Sequence, residues 1–191
     1  GGSFNQPDIN SANGFNTSVS NPAIGLILGR FVLDASIPAP VPLAGDLTTF
    51  LTPYTGSNNN FGVPGARVVD LVSPLYGTPD LNGDGFPEGN PFYVRFASSP
   101  GSSTVLGDAA AAGATFFSLW IGSNDGLGWL ISGGSAPDVA EVPAAIANTS
   151  ALTDLPNFSG ALGAVIAKLK EGGADGVIAN LPDATFSPFF R

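Results

Sequence analysis

Two short apolar runs, Thr115–Ile121 (Thr-Phe-Phe-Ser-Leu-Trp-Ile) and Gly176–Leu181 (Gly-Val-Ile-Ala-Asn-Leu), stand on either side of a segment with helical periodicity. In that segment Leu155, Phe158, Leu162, Val165, Ile166 and Leu169 recur at the 3.6-residue period and define one apolar face. Thr153 or Asp154 is placed to cap it, Pro156 is tolerated in the first turn, and Lys168 and Lys170 suit the negative end of the helix dipole. Both runs are short and bounded by glycine, Gly122 after the first and Gly172-Gly173 before the second, and the first is rich in β-branched and aromatic residues. They read as buried strands. A strand, a helix and a second strand joined by short turns require a crossover. The expected class is therefore α/β with a parallel sheet. In such sheets sites collect beyond the carboxyl ends of strands, which directs attention to the residues after Ile121, after Leu181 and around Gly65.

The rest of the chain is less regular. Thr104–Ala112 is rich in alanine and reads as a helix stopped by Gly113. Arg67–Leu75 reads as a short helix, 76–91 as turns and Phe92–Ala97 as a short strand. Residues 1–60 are dominated by Asn, Gly, Ser and Pro. Within them Gly25–Leu33 suits a strand or ribbon, and the alternating prolines of Ile37–Pro42 forbid a helix. The expected organisation is one domain over 1–191, with 1–60 an irregular cover and 61–191 the regular βα part.

Composition narrows the chemistry. The 191 residues carry 15 acids against 6 bases, a net charge of −9, and no Cys, Met or His. Nothing in that balance suits a nucleic-acid backbone. No apolar run reaches the 18 residues of a membrane-spanning helix. Thiolate catalysis, disulfides, cysteine zinc sites and a histidine base are all absent from these residues. The opening Gly1-Gly2-Ser3-Phe4, without a methionine, predicts a processed, truncated or incompletely known N-terminus.

Two segments have a composition that suits catalysis. In Asn60-Phe61-Gly62-Val63-Pro64-Gly65-Ala66-Arg67 the glycines and proline make a tight turn, from which a glycine N–H can face developing negative charge. The plainer reading is a loop-to-helix turn. In Trp120-Ile121-Gly122-Ser123-Asn124-Asp125 the Asn124 amide follows a strand's carboxyl end and suits oxyanion stabilisation. Its plainer reading is an Asn-Asp pair stabilising its own turn.

Together these segments resemble motif blocks of the SGNH (GDSL-type) hydrolases. Asn60 and Gly65, spaced Asn-x-x-x-x-Gly, resemble the second block, and Gly122-Ser123-Asn124-Asp125 resembles the third. The chain is similar in particular to secreted or outer-membrane SGNH lipoproteins of Bacteroidota-type bacteria, through Ala39–Gly45, Pro91–Ser98, Phe116–Gly122 and Val177–Asp183. The resemblance implies a flavodoxin-like three-layer fold, an extracytoplasmic location and hydrolysis of an ester: lipid, acylated sugar or acylated polymer. It implies no required cofactor. It also implies an oxyanion hole from Gly65 and Asn124, supported by Asn60, Gly62, Gly122 and Asp125. The family's Gly-Asp-Ser block and Asp-x-x-His block have no counterpart here. On this reading 1–191 is the family's middle section, the serine and histidine lie outside it, and these residues alone are inactive. Ser118 and Ser123 have no base to make either a substitute nucleophile.

A third segment, Asp80-Leu81-Asn82-Gly83-Asp84-Gly85-Phe86-Pro87-Glu88, resembles the first half of a calcium loop. Asp80, Asn82 and Asp84 alternate and Glu88 sits at the ninth position, but Pro91 replaces the acid expected at the twelfth. An acidic surface turn is the alternative. Trp120, Trp129, Phe116 and Phe117 suit either an acyl pocket or, more plainly, the core. Asp183 suits a cap. Asn16, Asn148 and Asn157 begin Asn-x-Ser/Thr sequons, which carry little meaning in a bacterial protein. Against the hydrolase stands a second reading: a non-catalytic secreted structural or binding protein on a degenerate scaffold, which self-assembles or takes a complementing chain to cover its sheet edges.

Overall fold

The computed structural model describes residues 4–8, 31–42, 52–83, 85–131, 133–134 and 152–183. An antiparallel hairpin pairs β1 (Phe31–Asp34) with β2 (Ala39–Pro42). Asp34 braces the turn by accepting from the Ser36 N–H at 2.8 Å. The prolines of β2 are compatible with a two-stranded ribbon, where one edge needs no donors. The rest of the Gly25–Leu33 expectation, 25–30, lies outside the described residues.

Two consecutive 3-10 turns, Val69–Val72 and Pro74–Gly77, replace the single helix expected over Arg67–Leu75. Pro74 cannot continue the hydrogen bonding of a preceding helix, so the segment splits there. Phe92–Ala97 is not a strand. Pro91–Val94 forms a short helix, α1, because Asn90 accepts from the N–H groups of Phe92 and Tyr93 while Pro91 occupies the first helical position. This cap outweighs the strand preference of Phe92, Tyr93 and Val94.

Helix α2 (Val105–Ala111) begins at Thr104, whose hydroxyl accepts from Gly107 N–H at 2.9 Å. Strand β3 (Phe116–Leu119) leads through Gly122 into α3 (Ser123–Ile131). Helix α4 (Leu155–Glu171) is capped by Asp154, which accepts from Asn157 N–H at 2.8 Å, and leads into β4 (Asp175–Ile178). β4 lies parallel to β3 in the register Phe116↔Asp175 to Leu119↔Ile178. The architecture is thus mixed α/β with one parallel strand pair among the described residues.

Neither strand is buried as expected. Phe116, Trp120 and Val177 are 60%, 72% and 56% exposed, and every residue of β4 is exposed. Parallel sheets bury their strands by covering both faces. Here the odd-numbered residues of β3 face inward, and nothing among the described residues covers the opposite face. Trp120 and Phe116 are therefore not core, whereas Phe117 and Trp129 are half-buried.

The core lies in front of α4. Ala66, Leu71, Tyr76, Tyr93, Val105 and Val165 form one buried cluster, with Leu119, Ile121 and Leu169 packed against it. Val68, Val69 and Ala161 form a second, flanked by Phe158 and Leu162. The inward face of α4 thus follows the apolar period read from the sequence, except for Leu155, which is 76% exposed at its first turn. The 3-10 turn Val69–Val72 packs on α4 and α2, which fixes the preceding residues 65–68 beside the end of β3.

Candidate functional site

The segments 60–68 and 122–125 meet. Asn124 Nδ2 donates to Ala66 O at 3.0 Å, and Asp125 Oδ2 accepts from Val68 N–H at 2.9 Å. Asn124 and Asp125 do not stabilise a local turn. They lie in the first turn of α3 and reach across 57 or 58 residues to the other segment. Asp125 also ties in the entrance of α4, since its carbonyl accepts from Thr153 N–H at 3.0 Å.

Gly122 permits this approach. Its φ is +114°, and a Cβ there would stand 2.8 Å from Leu181 Cδ1 and 3.2 Å from the Phe158 ring. A side chain would push β3's exit away from α4 and β4. Gly65 differs: its φ is +79°, but a Cβ would meet no atom within 4 Å. Backbone conformation, not crowding, selects glycine at that position. Gly65 is exposed, and among the described residues its N–H has no hydrogen-bond partner. The loop before it is held by Asn60, whose Oδ1 accepts from Gly62 N–H at 3.0 Å and whose Nδ2 donates to Gln6 Oε1 at 3.4 Å. Asn60 and Gly62 therefore shape the turn that presents Gly65.

Behind this surface lies a polar network that the sequence reading missed. Arg67 donates to Asp70 from its main-chain N–H (2.9 Å), Nε (3.1 Å) and Nη2 (3.0 Å). Both residues are buried. Burial pushes the Asp70 carboxyl above its ordinary range, and the Arg67 guanidinium only partly offsets it. Burial also opposes the Arg67 charge, but Asp70 holds its pKa above the ordinary value. Asp125 is likewise shifted upward, first by burial, and the Val68 N–H opposes the shift. Asn90 joins the network from the far side. Its Nδ2 donates to Tyr76 Oη at 2.8 Å and to Pro64 O at 3.1 Å, so α1's cap also anchors the residue before Gly65. Arg67-x-x-Asp70 and Asn90-Pro91 were the available sequence signals, an i,i+3 ion pair and a cap with proline at the first position.

Among the described residues Gly65 N–H has no hydrogen-bond partner, and the Asn124 amide has one N–H committed to Ala66 O, the residue after Gly65, and the other without a partner. Two such donors suit an oxygen that gains negative charge.

The 80–88 loop is separate. Asp80 accepts from Gly83 N–H at 2.6 Å and Gly85 N–H at 2.9 Å, and Glu88 accepts from Leu81 N–H at 2.8 Å. These carboxylates close their own turn. Asp84 lies outside the described residues, and among those described no group of three or more His, Cys, Asp or Glu side chains is arranged for a metal ion. Asn157 Nδ2 donates to Asp154 within α4's first turn, while Asn16 and Asn148 lie outside the described residues. Asp183 is exposed beyond β4.

No family model matches the sequence, and no curated protein and no solved structure matches it.

Proposed function

We propose that this chain is the central part of an extracytoplasmic ester hydrolase of SGNH type, with Gly65 N–H and the Asn124 amide as its oxyanion-binding donors. The carrying observation is the 3.0 Å hydrogen bond from Asn124 Nδ2 to Ala66 O, which fixes the amide next to Gly65. Attack on an ester carbonyl puts negative charge on its oxygen. Donors already held in place stabilise that charge without reorganising at the moment of reaction. Asp125, Arg67 and Asp70 act as positioning residues, since they touch the donor segments and not the reacting oxygen. The nucleophilic serine and its histidine belong to sequence outside residues 1–191, and the substrate is an ester of a lipid, sugar or polymer.

The test is hydrolysis of a p-nitrophenyl ester by the protein carrying its flanking sequence. Asn124→Ala is expected to lower kcat about 10²-fold or more with little change in KM. An unchanged kcat in a variant with wild-type circular dichroism would remove Asn124 from the mechanism.

One observation favours a second reading, an assembling surface protein. Phe116, Trp120 and Val177 are exposed on one side of the parallel pair. If that face drives association, Trp120→Gln shifts the sedimentation coefficient to that of a monomer. If the wild type is already monomeric, this reading fails.

A further inference from the structure

Residues 4–8 lie along the segment 57–60, which leads into the turn before Gly65. Asn5 N–H donates to Asn59 Oδ1 at 3.0 Å, and Asn59 N–H donates back to Asn5 O at 2.8 Å. Asn5 Nδ2 donates to Ser57 Oγ at 2.8 Å, and Gln6 Oε1 accepts from Asn60 Nδ2 at 3.4 Å. The residue before a proline is driven to extended backbone, so Pro7 pre-shapes Gln6 to lie along a second segment. Asn60 is the residue whose Oδ1 holds the Gly62 N–H, so these contacts reach the turn that presents Gly65.

The two ends of residues 4–8 are held with unequal strength. At one end the Asp8 carbonyl accepts from Arg95 Nη2 at 2.9 Å, and Arg95 is buried and also donates to Thr52 O at 3.3 Å from Nε. Freeing Asp8 would leave a buried guanidinium N–H without its acceptor, which is costly. At the other end the bonds of Asn5 and Gln6 join exposed groups, and Phe4 is 71% exposed, so its ring anchors nothing. Water replaces such bonds at little cost, and segments held only by them open locally, ahead of the core. We propose that residues 4–6 are a strap, hinged at Pro7 and Asp8, that opens as a local unit and, when closed, fixes the Asn60 turn in front of Gly65. Asn5 and Gln6 are then positioning residues, and their bearing on catalysis rests on the hydrolase reading.

The experiment is amide hydrogen exchange read residue by residue by NMR, in the wild type and in Asn5→Ala. Asn59 N–H, whose acceptor is Asn5 O, reports the strap, Gly62 N–H reports the Asn60 turn, and the buried Asn90, whose N–H donates to Tyr76 O at 2.8 Å, reports the core. Asn59 N–H is expected to exchange at a rate that about 1 M urea leaves unchanged, while the Asn90 N–H rate rises with urea. Asn5→Ala is expected to speed Asn59 N–H exchange about fivefold, the share of one exposed hydrogen bond, and Gly62 N–H exchange about threefold, with Asn90 N–H unchanged. Asn5 touches neither Asn60 nor Gly62, so its effect at Gly62 is one that a purely local role would not produce. The same urea dependence at Asn59 and Asn90, or a Gly62 rate indifferent to Asn5→Ala, would overturn the proposal. In the protein carrying its flanking sequence, Asn5→Ala should also lower kcat for a p-nitrophenyl ester about threefold at unchanged KM. An unchanged kcat beside a faster Gly62 would break the link from strap to Gly65, whereas a wild type without esterase activity would overturn the hydrolase reading and leave the exchange rates to decide the strap.

Discussion

Replacing Asn90 by alanine tests how the network behind the candidate site is held. Asn90 is 4% exposed and makes four hydrogen bonds: to Tyr76 Oη, Pro64 O, Phe92 N–H and Tyr93 N–H. Loss of the cap costs about 1 kcal/mol. The Tyr76 hydroxyl, in a residue only 1% exposed, then loses its partner in a dry site, at about 1–3 kcal/mol. Pro64 is exposed and its carbonyl can turn to water, so it adds little. The sum is roughly 2–4 kcal/mol, a large share of the ~5–15 kcal/mol typical of a folded domain. Urea denaturation should show a lower midpoint at unchanged slope. The second arm of the experiment is Tyr76→Phe. Alone it should cost about 1 kcal/mol, but in the Asn90→Ala background it should be neutral or stabilising, because it removes the orphaned hydroxyl. Strict additivity, or a cost below about 1 kcal/mol for Asn90→Ala, would mean that Asn90 does not hold the Tyr76 hydroxyl and the α1 cap together.

Further outcomes follow from the same contacts. Asp70→Asn strands the buried Arg67 cation and should cost about 3–5 kcal/mol, whereas the double change Arg67→Met with Asp70→Leu should recover most of it, measured by urea melts. Gly89→Ala should destabilise by about 2 kcal/mol or more, since its Cβ would lie 2.5 Å from Thr78 N and 2.6 Å from Tyr76 O, both main-chain atoms; thermal melts read this directly. Burial raises the folded pKa of Asp125 above the ordinary carboxylate value, so its favourable contribution is complete below about pH 4 and is lost as pH rises through the folded pKa. Relative to Asp125→Asn, the wild type should therefore gain stability on acidification from pH 7 toward pH 4, and a gap independent of pH would contradict the shift. Residues 1–191 alone should hydrolyse a simple ester no faster than their own Asn124→Ala variant.

Local signals read best. The α4 period, its Asp154 cap, the alanine-rich α2 and the strand after Gly173 all depend on neighbours within a few residues, and the sequence displays them. The misread elements turned on competition. At Pro91–Val94 one asparagine and one proline outweighed three residues with strand preference, and at Pro74 a single ring divided an expected helix. Burial was harder still. Thr115–Ile121 has the composition of a covered strand, but cover depends on what packs against it, and composition is silent about Trp120's surroundings. The pairing of 65–68 with 122–125 is suggested only by the resemblance of the two segments to hydrolase motif blocks. The atoms that make it, Ala66 O and Val68 N–H, are main-chain groups with no mark in the sequence. Arg67 and Asp70 were visible as letters, but only the fold shows that both are buried.

As an oxyanion-binding pair of the proposed hydrolase, Gly65 and Asn124 serve a nucleophile carried elsewhere on the same polypeptide. The most direct measurement is fluorophosphonate labelling of the protein from its natural source, followed by intact mass and peptide mapping. The account predicts a mass above the 19.2 kDa of these residues and a label on a serine outside 1–191. A 19.2 kDa protein that takes no label, or a label on Ser118 or Ser123, would contradict it.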